Sequence, residues 1–177
     1  MYDSLASEQD LNFLFDLLNG IKTPQGIHPI LTANVILRNP DFDKIRESEY
    51  KEYFSESFLD TLNNYPKHSE AFSLWEKGIG EKVFFPQSHG REHLNISRWM
   101  NDLHSGLEET KFAFNLKMFG ISSHVSRQKR KSYLAAFDGQ VDKLVIDHKA
   151  IIKEALYEFQ RVFNYSSKSF IAPNYVW

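Results

Sequence analysis

Val83-Phe84-Phe85-Pro86-Gln87-Ser88-His89-Gly90-Arg91-Glu92-His93-Leu94-Asn95 is the stretch that decides how this 177-residue chain is read. The apolar run Val83 to Phe85 is short enough for a buried strand, and Pro86 ends it. Behind the two histidines, Leu94, Ile96, Trp99, Met100 and Leu103 recur at the spacing of an amphipathic helix, predicted over residues 94–103. A strand end opening onto a helix is where α/β folds keep their chemistry, because a rigid sheet holds the loops there. His89 and His93 stand four apart, so both imidazoles can point the same way on one helical turn and share a metal ion, zinc being the first candidate.

Working outward, Ser7 to Asn19 reads as a helix. Ser7 caps it, Asp10 completes a capping box, Leu11, Leu14, Phe15 and Leu18 form one stripe, and Gly20 stops it. After the turn residues Thr23-Pro24-Gln25-Gly26, the apolar run Ile30 to Leu37 predicts a strand covered on both faces. Asn39-Pro40 ends that strand, and Asp41 and Asp43 read as the cap and first turn of a short helix rather than as a catalytic carboxylate pair. Further helices are expected over residues 57–64, 69–77 (stopped by Gly78 and Gly80), 108–118, 126–137 and 141–163. A last strand is expected over residues 169–172, closed by Pro173. Helix, strand, helices, strand, helices, strand is the alternation of an α/β fold, a parallel sheet with covering helices in a single domain over residues 1–177. Three strands are too few for a closed barrel, which with the abrupt ends predicts a piece of a longer protein. The open strand edges then predict self-association.

Composition narrows the function. Lys and Arg total 21 against 23 Asp and Glu, so no strong field points to nucleic acid or to an acidic membrane, and the basic run Arg127 to Lys131 reads as a solvated helix face. Aromatic residues make up 15% of the chain, enough for a large core with rings left over for sugar stacking. The absence of Cys excludes thiolate chemistry and Cys-based zinc sites. No signal peptide or membrane-spanning run is present, which leaves the cytoplasm as the default compartment.

With strands and histidines placed, the chain resembles the polysaccharide deacetylase (chitin-oligosaccharide deacetylase-like) superfamily. Leu11 to Leu18 looks like that family's first helix, and His28 to Val35 like its second strand. His89-Gly90-Arg91-Glu92-His93 is similar to the motif that supplies two metal ligands, and Ser169 to Pro173 resembles the strand before its arginine-and-proline motif. The resemblance implies a partial (β/α) barrel, a divalent metal (zinc) held by His89 and His93, and hydrolysis of acetyl groups on a carbohydrate. Gly90 replaces the motif's Ser or Thr, Leu94 its Pro and Ile171 its Arg, and no Asp pair precedes the first helix.

Two other readings stand beside this one. A non-catalytic carbohydrate-binding or interaction protein on the same scaffold suits the missing aspartates. His89-x-x-Glu92-His93 also matches the H-x-x-E-H pattern of a metalloprotease, with Glu92 as base, which requires both histidines within one helix. Asp147 and His148 read as solvated helix positions, and His68 and His104 have no partner close in sequence. Trp75, Trp99, Tyr175 and Trp177 read as core or rim.

Overall fold

The computed structural model describes residues 5–121, 126, 132–138 and 148–175. The architecture is mixed α/β, with a short parallel strand pair and covering helices; among the described residues no barrel closes. Two compact units divide the chain. The first holds Met1–Val35 and Ser57–Gln87, the second Ile36–Glu56 and Ser88–Trp177.

In the first unit, α1 (Glu8–Gly20) starts with the predicted capping box, Ser7 and Asp10 each bonding the other's backbone amide. Its buried residues are Leu11 and Phe15. Strand β1 (Leu31–Ile36) begins here and pairs with β4 (Phe84–Gly90). Helix α3 (Phe58–Asn64) is capped by Ser57, and α4 (Ala71–Gly80) lies against both α1 and α3. Phe84 meets Phe15 and Trp75 at ring-centroid distances of 5.5 and 5.3 Å, which seats both helices on the start of β4. Gly78 does not stop α4, as expected from the sequence, but lies inside it. A Cβ there would stand 2.6 Å from Phe15 Cζ and 2.9 Å from Phe84 Cβ, so the helix and strand approach only over a glycine. Strand β1 also differs from expectation: Leu31 is 39% exposed, so the strand is not covered on both faces at its start.

The second unit gathers around Trp99. Helix α5 (Ile96–His104) follows β4, with Asn95 accepting from the Arg98 amide as its cap, and α6 (Glu108–Asn115) packs on it. Ile45, Leu94, Ile96, Trp99, Leu103 and Phe114 form one buried cluster. Short α2 (Phe42–Glu47) contributes Ile45 and Phe42, the latter edge-on to Trp99. The small pair β2 (Arg38–Pro40) and β3 (Ser55–Ser57) was not foreseen, because neither carries an apolar alternation. Helix α6 ends three residues before the predicted point. Lys117 takes a left-handed φ of 55° while its amide and that of Met118 donate to Phe114 and Ala113, a C-terminal motif in which Lys stands where glycine is usual.

Residues 132–138, expected in a helix over 126–137, are turns; the rest of that span, apart from Ser126, lies outside the described residues. Side chains take the carbonyls a helix would use: Asn95 Nδ2 donates to Ala135 and Asp138, and Arg98 to Ser132. The long helix is described as α7 (His148–Phe163), its expected start at 141–147 lying outside the described residues. The expected last strand is reduced to a single parallel bridge between Phe170 and Ser88, followed by a helical turn over Pro173–Tyr175. No described helix is long and apolar enough to cross a membrane.

Candidate functional site

Strand β4 runs further than the sequence predicts, through Pro86 to Gly90, so His89 lies on a strand and not at a helix start. Gly90 then turns the chain with a φ of +118°, a conformation closed to side-chain-bearing residues. The turn is pinned by Arg91, whose carbonyl accepts from the amides of Leu37 and Arg38 at 3.1 and 2.8 Å. It delivers His93 back beside His89, the two rings 5.0 Å apart between centroids and inclined by 62°. The two rings stand side by side, brought there by a strand and a glycine turn rather than by one helical turn.

The histidines differ in their surroundings. His89 Nδ1 lies 2.8 Å from the carbonyl of Ile171. A carbonyl only accepts, so that nitrogen carries a hydrogen. His93 Nδ1 is buried with no hydrogen-bond partner among the described residues. Burial, and next the charge of His89, push the His93 pKa down, with the carbonyls of His93 and Leu134 acting the other way. A neutral imidazole with an unused buried nitrogen is suited to a metal ion.

Glu92 does not share this pocket chemistry. It is 3% exposed, and Arg91 Nε stands 2.8 Å from both its carboxylate oxygens, while Tyr53 donates its hydroxyl to the same carboxylate at 3.3 Å. Burial raises the Glu92 pKa, Arg91 and Tyr53 pull it back, and burial prevails. Tyr53 is pushed well up by burial and by the Glu92 charge. Arg91 also reaches Glu154, and one turn along α7 Glu158 holds Arg38 at 2.7 Å. The metalloprotease reading fails on this context, since His89 is on a strand and the carboxylate it needs as base is held by Arg91. None of Arg91, Tyr53 or the Ile171 carbonyl was singled out from sequence; the adjacency of Arg91 and Glu92 was the one visible signal.

The remaining candidates are structural. Asp41 caps α2 through the Lys44 amide, and Asp43 pairs with Arg46 and Lys117 on the surface. His68 places its two ring nitrogens 2.7 and 2.9 Å from the carbonyls of Pro66 and Leu5. His148 opens α7 with its ring against Phe137, Asp147 lies outside the described residues, and His104 is exposed at the end of α5. Trp75 stacks on Phe58, Trp99 is fully buried, Tyr175 is exposed and Trp177 lies outside the described residues.

For a metal, the donor set fits in part. Two imidazoles suit zinc, but a stable site needs at least a third protein ligand. Among the described residues no group of three or more His, Asp or Glu side chains comes together. No family model matches the chain, and no curated protein or solved structure matches it.

Proposed function

We propose that the chain contributes His89 and His93 as two ligands of a divalent metal, zinc first, in a carbohydrate deacetylase of partial (β/α)-barrel type. The observation that carries this is the buried, unused Nδ1 of His93 beside a His89 whose tautomer is fixed by a main-chain carbonyl. A metal bound there would supply Lewis acidity toward an acetyl carbonyl and a more acidic bound water. The chain's own part is to hold two imidazoles edge to face, the turn between them pinned through the Arg91 carbonyl and the His89 ring held by the Ile171 carbonyl. Among the described residues no third ligand stands beside the two histidines. Acetate release from chitin and xylan oligosaccharides, abolished by a chelator and by His89→Ala, tests the reading; activity indifferent to both would refute it.

A second reading, a non-catalytic carbohydrate-binding or interaction protein, is favoured by the absence of a third ligand among the described residues. Self-association belongs to either reading. In the first unit Phe13, Leu17, Ile30 and Leu31 are exposed, and β1 has β4 as its described strand neighbour. Light scattering that shows a monomer at all concentrations would remove it.

A further inference from the structure

Helix α1 carries the carboxylates of Glu8, Asp10 and Asp16 and no basic residue. Leu11 and Phe15 take its buried face, while Phe13 and Leu17 stand on the opposite one, 73% and 52% exposed. Asp10 and Asp16 lie three residues to either side of Phe13, so both neighbour it on the helix surface, and both are exposed. An apolar strip edged by negative charge fits a partner that is apolar along its middle and basic at its edges.

Helix α7 has that chemistry. Ala155, Phe159 and Phe163 form its core face. Lys149, Lys153, Tyr157 and Arg161 recur every four residues and all are exposed, so they make one stripe along its outer side. Tyr157 is 67% exposed, with the Arg161 guanidinium 6.0 Å from its ring centre, and the adjoining Leu156 is 39% exposed. The two carboxylates of the helix do not offset the stripe, since Glu154 is tied to Arg91 and Glu158 to Arg38.

We propose that α1 of one copy of the chain docks antiparallel on α7 of a second copy. The inference rests on the self-association read above and moves the contact from the strand edges to two helices of opposite charge. At about 1.5 Å per residue, Asp10, Phe13 and Asp16 span about 9 Å, and Arg161, Tyr157 and Lys153 span about 12 Å in the reverse direction. In that register Asp10 meets Arg161, Phe13 packs on Tyr157, and Asp16 meets Lys153, whose flexible stem takes up the difference. The antiparallel direction also sets the negative end of α7 against the positive end of α1. Each copy carries both faces, so the contact is made twice about a two-fold axis or repeats head to tail. Its charged pairs are exposed, which makes the association sensitive to salt.

Light scattering across a concentration series, at about 50 and about 500 mM salt, tests the pairing by charge exchange. The samples are the wild type, Asp16→Lys, Lys153→Glu, an equimolar mixture of these two variants, and the chain carrying both changes. Both positions are exposed, and urea unfolding confirms that each variant folds. The wild type should associate more strongly at the lower salt. Each single change sets like charges opposite one another and should weaken association at least about tenfold. The mixture and the doubly changed chain should recover to within about threefold of the wild type, because each altered charge then meets its opposite. Association equal in the wild type and both single variants overturns the helix pairing and leaves the strand edges as the contact. Loss in the single variants with no recovery in the mixture or the doubly changed chain overturns it as well. A wild-type chain that is monomeric at every concentration strikes self-association altogether, and this proposal with it.

Discussion

Replacing Arg91 by Ala perturbs the group that holds a buried carboxylate beside the histidine turn. The Glu92 side chain is 2% exposed and that of Arg91 16%, so the guanidinium is the main compensation for a charge withdrawn from water. Breaking such a pair while leaving the acid in place costs about 3–5 kcal/mol. The lower end applies here, about 3 kcal/mol, because Tyr53 still donates to the carboxylate and Glu92 can take up a proton. The lost contact to Glu154 adds under about 1 kcal/mol, since that carboxylate is 60% exposed.

The sign of the pH dependence follows from the direction of the shift. Burial already holds the Glu92 pKa above its ordinary 4.5, so the folded chain binds this proton more tightly than the unfolded one. The associated stability is present below the ordinary value and is lost as pH rises through the raised one. Without Arg91 the pKa climbs further, so the variant should lie closer to wild type near about pH 5 than near about pH 7. Urea unfolding of the wild type, Arg91→Ala, Glu92→Gln and the double variant at both pH values measures this, provided the slopes agree. Adding Glu92→Gln to Arg91→Ala should recover about 2 kcal/mol at the higher pH. A loss under about 1 kcal/mol, or a loss independent of pH, would refute the account of Glu92 as a charge held by Arg91.

Three further outcomes are expected. Gly78→Ala gains about 0.5–1 kcal/mol of helix preference but overpacks Phe15 and Phe84, so it should lose about 1–2 kcal/mol net in urea; a more stable variant would contradict the close approach. Trp99→Phe opens a gap in the second unit's core and strands the Phe119 carbonyl now bonded at 2.6 Å, which should cost about 2 kcal/mol by the same assay. Tyr133→Phe removes a 2.7 Å hydrogen bond from Asp102, itself 2% exposed, and should cost about 1–3 kcal/mol, with amide exchange rising in residues 132–138.

What could be read from sequence was what is encoded within about four residues. The caps of α1 and α2 are legible because Ser7 and Asp41 bond amides three positions on, whereas Ser57, expected inside its helix, caps α3 instead. Gly78 looked like a stop because its reason lies in Phe15 and Phe84, which only the fold brings near. Residues 132–138 carried helical periodicity, yet Asn95, Arg98 and Asp102 claim their carbonyls and the Tyr133 hydroxyl from a distance of 31 to 43 residues. At the site, the spacing of His89 and His93 told of their proximity but not of its cause, since a strand ending in a glycine turn and a helical turn can share that spacing. The Ile171 carbonyl is main chain and has no signature in residue types. Arg91 and Glu92 were visible as neighbours, but that the acid is buried and turned to Arg91 and Tyr53 depends on β2, β3 and α7.

The central claim is that His89 and His93 form the protein's half of a metal site. Calorimetric titration of zinc into the folded chain and into the His89→Ala/His93→Ala variant tests it most directly. The account predicts one zinc site per chain in the wild type, absent from the variant, with the His93 imidazole resonances moving on binding. A folded wild-type chain that takes up no zinc, or a variant that binds it as well, would contradict the claim.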